Sequence, residues 1–116
     1  KTWVYRLARY RNTLSAAIPN AVIERVPTAE LAPEQKDSDN LPPYTILDPI
    51  LGAYVEDDKT VAEIVALGYD ETVVKRVVKL VQSAEYKRRQ SPPGVRVSRR
   101  AFGRDRRYPI TSGYHR

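Results

Sequence analysis

The sequence predicts a mainly α-helical fold, and three observations support this prediction. Apolar residues recur at helical spacing in residues 1–14, 44–54 and 60–84. Proline or glycine lies close to where these stretches begin or end, as is typical of helix boundaries. AVIERV, residues 21–26, could be a short strand by its β-branched content, although so short a run is weak evidence of alternation. The 116 residues leave room for one small domain.

The first predicted helix covers residues 1–15. Val4, Leu7 and Ala8 share one face, and arginines occupy much of the remaining surface. The pattern starts at once, with no methionine and no capping Ser, Thr or Asp ahead of it. We therefore expect this chain to be part of a longer protein.

Residues 16–43 are predicted to form a long loop, because their prolines and their small and acidic residues oppose a regular helix. Within it, the segment 32–41 carries Glu34, Asp37 and Asp39, without the glycine and terminal glutamate of a calcium-binding loop. One interpretation is a solvated loop. The other is a mobile segment that becomes ordered when substrate and Mg²⁺ bind, since Mg²⁺ prefers oxygen ligands.

Residues 44–90 form a predicted helical subdomain. Its first apolar stripe follows two prolines and comprises Ile46, Leu47, Ile50, Leu51 and Tyr54. Pro49 interrupts this stripe. Because proline lacks the N–H that a helix interior needs, the helix is expected either to begin close to Pro49 or to bend there.

Capping signals predict two further helices. Thr60 and Glu63 have the spacing of a capping box, and Gly68 is a natural left-handed stop. Asp70 then caps a helix with a wide apolar face. This face consists of Val73, Val74, Val77, Val78, Leu80, Val81 and Ala84.

Residues 91–116 are predicted to be a basic, extended tail that begins at two prolines and has apolar anchors at Phe102, Tyr108 and Ile110. Residues 85–116 hold ten basic and two acidic side chains, whereas residues 1–84 hold ten and twelve. The net charge of +6 therefore comes from the end of the chain. Such asymmetry favours a polyanionic partner or an anionic substrate.

Composition excludes several classes of site. The chain has no cysteine and one histidine, His115, so disulfides and zinc centres built from thiolates or several histidines are excluded. No run approaches the roughly 18 to 20 apolar residues of a spanning helix, and arginines near the start oppose a signal peptide. We expect a cytoplasmic protein with no membrane partner.

Two interpretations of the basic end stay open on pattern alone. A short connection between two helices resembles a helix-turn-helix, which would make the tail a nucleic-acid arm, although the second helix begins with acidic and apolar residues. In EYKRRQ, Lys87 could be a point-charge phosphate binder, with Arg88 and Arg89 as bidentate forks beside it. The same cations would also interact favourably with a helix C-terminus.

Four stretches of the chain are recognisable together: KTWVYRLARYRN, VPTAELAPEQKDSDNLPPYTILDPIL, YVEDDKTVAEIVALGYD and EYKRRQSPPGVRVSRRAFGRDRRYPIT. They occur in this order and extend over almost the whole sequence. In this combination the chain resembles the carboxy-terminal segment of the bacterial, long-form glutamine-dependent NAD synthetases.

The resemblance implies an ATP-dependent carbon–nitrogen ligase that catalyses the last step of NAD biosynthesis. In that family ATP adenylates the nicotinate carboxylate of deamido-NAD, pyrophosphate leaves, and ammonia displaces AMP. The ammonia comes from glutamine, which a separate glutaminase domain hydrolyses. ATP and Mg²⁺ are thus implied as substrates, with no permanently bound cofactor. Cations and Mg²⁺ are needed because the site must hold two polyanions together.

The resemblance also implies a larger fold, in which this chain is the helical C-terminal part of an α/β synthetase domain. That domain is doubly wound and Rossmann-like, of the adenine nucleotide alpha hydrolase-like type. The family's Ser-Gly-Gly-x-Asp-Ser pyrophosphate loop and its Mg²⁺ ligands are not in the sequence, so the chain alone is expected to be inactive. The implied partners are the rest of the synthetase, the glutaminase domain and a further copy in a homo-oligomer, with no specific nucleic acid.

Three binding residues follow from the resemblance. Thr28 matches the threonine at the ATP site, where its hydroxyl would bond a nucleotide oxygen. Tyr86 and Lys87 match the dipeptide that contacts deamido-NAD. The short, ammonia-dependent enzymes usually have His-Lys there, so the role of the lysine transfers more directly than that of the aromatic residue.

The resemblance further matches residues 32–41 to a mobile loop over the active site. Its Glu34, Asp37 and Asp39 are expected to act in gating rather than as metal ligands, because closure excludes water from the adenylate. No catalytic residue and no metal ligand is assigned in this chain. The arginines from Arg96 to Arg107 are expected to tie the tail to its own domain or to a neighbouring subunit.

Overall fold

The computed structural model describes residues 1–25, 41–103 and 105–111 of the chain. These residues form helices, turns and bends, with no β-strand among them, so the prediction of a mainly helical chain is confirmed. The helices are α1 Thr2–Leu14, α2 Asn20–Glu24, α3 Tyr44–Leu51, α4 Val61–Ala66, α5 Glu71–Ser83 and α6 Glu85–Arg89, with a π-helical turn at Gly52–Glu56 between α3 and α4. The chain divides into two compact units, residues 1–41 and 42–116.

In the first unit, α1 agrees with the predicted helix. None of its residues is buried, and Val4, Leu7 and Tyr10 are each more than half exposed. The apolar face of α1 is therefore not covered by the described residues. The side chain of Asn12 fixes the turn after the helix: it donates to the carbonyl of Ile18 at 2.8 Å and accepts from the N–H of Ile18 at 3.0 Å.

The short helix α2 interrupts the predicted long loop, and residues 21–24 of AVIERV lie in this helix rather than in a strand. The N–H groups of Val22 and Arg25 donate to the carbonyls of Pro19 and Ala21, at 3.0 and 3.1 Å. Pro19 lies just ahead of the helix, where its missing N–H costs no helical bond. A strand would need a neighbouring strand to satisfy its backbone, and the described residues contain none.

The second unit begins with α3, which starts directly after Pro43. The N–H groups of Ile46 and Leu47 both donate to the Pro43 carbonyl at 2.9 Å, so the alternative start near Pro49 is wrong. Pro49 lies inside the helix. Three residues later the chain widens into the π-helical turn, in which the N–H of Asp57 donates to the Gly52 carbonyl at 3.2 Å. The wider turn follows the place where proline has interrupted the α-helical ladder.

The predicted caps of α4 and α5 are confirmed. Oγ1 of Thr60 accepts from the N–H of Glu63 at 3.3 Å, and the Glu63 carboxylate accepts from the N–H of Thr60 at 2.7 Å. Hydrogen bonds from the backbone and hydroxyl of Thr60 lower the pKa of Glu63. Gly68 has a φ of +97°, and Oδ1 of Asp70 accepts from the N–H of Val73 at 3.0 Å.

The core of the second unit lies where α5 packs against α3 and α4. Its buried apolar residues are Leu47, Ile50, Ala53, Tyr54, Val55, Ile64, Val74, Val77, Val78 and Val81. The apolar face predicted for α5 is thus confirmed at its four buried valines. Leu80 is 38% exposed, because it lies roughly 110° around the helix from the centre of that face.

The described part of the tail, residues 91–103 and 105–111, contains bends and turns but no helix. Of the three predicted anchors, Phe102 and Tyr108 are partly buried, whereas Ile110 is 57% exposed and does not anchor the tail. Throughout the described ranges, no helix combines the length and the apolar character that crossing a membrane requires.

Candidate substrate-binding site

The helix α6 carries the predicted ligand-binding pair Tyr86 and Lys87. It is separated from α5 by Ala84, whose φ of −86° and ψ of 10° end the longer helix. The N–H groups of Lys87 and Arg88 donate to the Ala84 carbonyl at 3.1 and 3.3 Å, which starts a new turn. The pair therefore lies on a separate five-residue helix rather than at the end of α5.

Tyr86 and Lys87 are both exposed, with 48% of Tyr86 accessible. The Lys87 ammonium lies 5.9 Å from the centroid of the Tyr86 ring, at the outer limit of a cation–π contact. Within the described part of the chain, Lys87 forms no ion pair, whereas the next two residues of α6, Arg88 and Arg89, do. Lys87 thus presents three hydrogen-bond donors and a compact charge to solvent.

Glu85, the first residue of α6, is buried beneath this exposed pair with only 2% of its surface accessible. Its Oε2 accepts from Nη2 of Arg88 at 2.7 Å, and its Oε1 accepts from Nε of Arg89 at 3.3 Å. A third cation, Nη1 of Arg107 in the tail, lies 3.9 Å from Oε1. One buried carboxylate therefore gathers three guanidinium groups.

The ionisation of Glu85 is controlled by two opposing influences. Burial is the larger single influence and on its own would raise the pKa of the carboxyl, because a charge is poorly solvated in the interior. Hydrogen bonds from Arg88 and Arg89, with a backbone bond from Tyr108, together outweigh it and hold the pKa of Glu85 below its ordinary value. Glu85 is therefore a charged group at neutral pH.

Arg88 and Arg89 also contact other residues of the second unit. Nη1 of Arg88 donates to the Val81 carbonyl at 2.6 Å, and its guanidinium lies 5.0 Å from the centroid of the Phe102 ring. Nη2 of Arg89 donates to the Tyr108 carbonyl at 2.9 Å. Both guanidinium groups bond to oxygens of the same unit, so the structure does not support the hypothesis that they are phosphate-binding forks.

Of the alternatives expected for the tail arginines, attachment to their own domain is observed for Arg100 and Arg106, whereas Arg96 bonds within the tail. Arg106 is only 8% exposed, its Nη1 donates to the Tyr54 carbonyl at 2.7 Å, and its guanidinium stacks 3.7 Å from the centroid of the Tyr54 ring. Arg100 forms an ion pair with Asp58. That ion pair raises the pKa of Arg100.

Two clefts lined by described residues adjoin the tail, and neither includes Tyr86 or Lys87. The larger, of about 710 Å³, lies between the end of α6 and the tail and is lined by Arg88, Phe102 and Arg107 among others. The other, of about 600 Å³, is lined by charged side chains of both signs: Glu56, Asp57, Lys59, Arg96, Arg99, Arg100 and Asp105. Its mixed charge gives it no clear preference for an anion.

The remaining predicted site residues, Thr28, Glu34, Asp37 and Asp39, lie outside the described residues, as does the whole segment 32–40. The described ranges contain no group of three or more carboxylates or histidines that could hold a metal ion. The site that the structure does bring together is thus the exposed pair on α6, with the buried Glu85 and its three arginine partners on the other side of the helix.

Sequence reasoning missed Glu85 and the burial of Arg106. A signal for Glu85 was present, because arginines follow it three and four residues later, the spacing at which helical side chains meet. For Arg106 the sequence offers no local signal, since its partner Tyr54 is 52 residues away.

Comparison with known proteins gives a consistent result. Residues 1–91 match the family described as NAD synthase. The glutamine-dependent NAD(+) synthetase of Acinetobacter baylyi is 56% identical over 116 residues, which cover 98% of this chain and 21% of the relative. That of Xanthomonas campestris is 54% identical with the same coverage. A solved glutamine-dependent NAD+ synthetase from Acinetobacter baumannii, in complex with ADP, aligns with a TM-score of 0.57 at 47% identity over 95% of this chain and 19% of its own.

The chain is thus similar, along most of its length, to segments of NAD synthetases. The chain belongs to the NAD synthase family, because the family match covers well over half of it and the identities are high. The resemblance stated from the sequence is confirmed. The chain spans about a fifth of the length of the relatives it matches, and the alternative of a nucleic-acid-binding domain is not favoured.

Proposed function

We propose that this chain contributes to a glutamine-dependent NAD synthetase, which amidates deamido-NAD to NAD with ATP through an adenylated intermediate. The support is 56% identity over nearly the whole chain to an enzyme of that name, and the likeness to a synthetase solved with ADP. ATP and Mg²⁺ are substrates in this proposal, and glutamine-derived ammonia is the nitrogen donor. The rest of the synthetase and the glutaminase domain supply the chemistry that these residues lack.

Within that activity, we assign Tyr86 and Lys87 to the binding of deamido-NAD. The observation that carries this assignment is the position of Lys87, exposed on α6 and without an ion pair among the described residues, beside two arginines that both pair with Glu85. A dinucleotide carries two phosphates and, in the deamido form, a carboxylate. A compact ammonium with three donors suits such a ligand, because it binds oxygen anions as a point charge without needing a planar match.

The other parts of the proposal follow from the family and lie beyond the described residues or beyond this chain. Thr28 is proposed to contact ATP, and segment 32–41 with Glu34, Asp37 and Asp39 to gate the active site. The helices are proposed to complete a Rossmann-like, doubly wound α/β synthetase domain. We further propose that the enzyme acts in the cytoplasm as a homo-oligomer.

The test is the variant Lys87→Ala in a full-length enzyme that contains this segment. Loss of a charged hydrogen bond costs about 1.5–3 kcal/mol, so the KM for deamido-NAD should rise by roughly 10- to 100-fold. Steady-state kinetics with ammonia as nitrogen donor would measure this effect without involving the glutaminase reaction.

The matched control is Lys79→Ala, which removes an exposed lysine from α5 instead. It should leave the KM for deamido-NAD within about twofold, since surface substitutions away from a site have small effects. An unchanged KM in Lys87→Ala would show that Lys87 is only a favourable charge at a helix end, and the assignment would be wrong.

A further inference from the structure

We infer that Glu85 is a positioning residue for the deamido-NAD site: its buried carboxylate holds α6 in the orientation that presents Lys87. The inference rests on the proposed function, in which Lys87 binds the dinucleotide. Glu85 itself is 2% exposed and so does not offer its carboxylate to a ligand. It acts through α6.

The helix α6 needs contacts with its surroundings to be stable. It has five residues, and its N-terminus has no side-chain cap. An isolated helix of that length is not stable in water, because few hydrogen bonds offset the entropy of ordering the backbone. The direction in which Lys87 extends is therefore set by contacts that α6 makes with its surroundings.

Glu85 and Lys87 lie on opposite sides of α6. At about 100° per residue, Arg88 and Arg89 flank Glu85, and Lys87 lies on the opposite side, roughly 200° away. The exposures agree with this geometry: Glu85 is buried, Arg88 is partly buried and Lys87 is exposed. Fixing the Glu85 side of the helix therefore fixes where the Lys87 side points.

Glu85 orients the two arginines that connect α6 to α5 and to the tail, and it contacts Arg107 of the tail itself. Arg88, bonded to Oε2 of Glu85 at 2.7 Å, also donates to the Val81 carbonyl of α5. Arg89, bonded to Oε1 at 3.3 Å, also donates to the Tyr108 carbonyl of the tail. Arg107 approaches the same oxygen from the tail. Without the carboxylate, these guanidinium groups would repel one another and α6 could rotate.

The experiment is a double-mutant cycle in a full-length enzyme, with Glu85→Gln, Lys87→Ala and the combination. Glu85→Gln keeps the side-chain length and removes the charge. We expect it to raise the KM for deamido-NAD about 3- to 10-fold, the range for one ordinary hydrogen bond. In the Lys87→Ala background the same change should have an effect of less than about twofold, because there is no ammonium left to position.

Asp58→Asn is the matched control. Asp58 pairs with Arg100 and Arg106 of the same tail, and asparagine accepts its positive φ of 57°. If Glu85→Gln raises the KM because α6 is no longer positioned, Asp58→Asn should leave the KM for deamido-NAD within about twofold of the parent. An equal rise in both variants would mean that the tail acts only through general stability, and it would overturn the inference.

Thermal unfolding of each variant shows whether that variant is folded at the temperature at which its KM is measured. Should Glu85→Gln fail to fold, Glu85→Asp replaces it, since the shorter carboxylate keeps the charge but cannot reach both arginines in their present positions. An unchanged KM in the folded Glu85 variant, or an equal effect with and without Lys87, overturns the inference and leaves the proposed function intact. An unchanged KM in Lys87→Ala overturns the proposed assignment and the inference with it.

Discussion

The helix α5 and the tail after α6 are held to the same unit by different forces. Over its 13 residues, α5 buries four valines. The tail, in residues 91–103 and 105–111, forms no helix and is attached through arginines. Apolar contact is non-directional and spread over many atoms, so α5 tolerates small shifts. The tail depends on a few directional bonds, so single residues decide whether it stays in place.

The difference matters for the candidate site because α6 lies between the two regions. Its buried side is joined to α5 through Arg88 and to the tail through Arg89. Its exposed side carries Tyr86 and Lys87. The tail thus contacts the side of α6 opposite the proposed ligand-binding pair.

The largest expected effect on the free energy of unfolding comes from the apolar packing around α5. Ile64, in the helix that packs on α5, is 0% exposed. Ile64→Ala should lower the free energy of unfolding by about 2–5 kcal/mol, through lost transfer energy and the cavity it leaves. Urea unfolding of the chain, followed by far-ultraviolet circular dichroism, measures this. Leu67→Ala, at a residue 58% exposed on the same segment, should change the value by less than about 0.5 kcal/mol.

The second expected effect concerns the tail. Arg106→Ala removes a charged hydrogen bond and the stacking on Tyr54, and should lower the free energy of unfolding by roughly 1.5–3 kcal/mol. Arg106→Lys should restore little of it, because an ammonium lacks the planar fork that bonds the carbonyl and covers the ring. Protease cleavage within residues 91–103 reports release of the tail directly. Arg99→Ala, at an exposed position, is the control, and equal cleavage in both variants would contradict the role of Arg106.

The smallest expected effect is a pH dependence from Glu85, whose pKa lies below its ordinary value of about 4.5. Because the folded pKa is lowered, the stabilisation is fully present above the unfolded value and is lost as the pH falls through the folded pKa. Near pH 7 the parent should therefore be more stable than Glu85→Gln. The difference in the free energy of unfolding between the two proteins should become smaller as the pH falls below about 4.5. Urea unfolding across this pH range measures that difference. A difference that does not change with pH would show that Glu85 is not ionised in the folded chain.

Short-range features were predictable from the sequence. The capping box at Thr60, the cap at Asp70 and the stop at Gly68 each depend on residues within one helical turn, and all three are observed. Residues 21–24 of AVIERV, by contrast, lie in α2 despite their β-branched content. β-Branched residues favour a strand only where another strand pairs with them, and none is present among the described residues.

The candidate site was predictable only in part. The resemblance pointed to Lys87, but the pattern of three adjacent cations in α6 could not show that two of them serve internal oxygens while the third faces solvent. The i, i+3 and i, i+4 spacing of Glu85 with Arg88 and Arg89 was visible. That spacing predicts a surface ion pair as readily as a buried one, since burial depends on what else packs there.

By itself, then, the sequence determined α1, the capped helices α4 and α5, the apolar face of α5 and the family, because these depend on residue order and local spacing. Only the tertiary structure decided that Glu85 is buried under three guanidinium groups and that Arg106 reaches Tyr54, 52 residues away. The physical reason is that a charged side chain is stable in the interior only where partners from distant segments converge on it. Such convergence is a property of the packed chain and leaves no periodic signal along it.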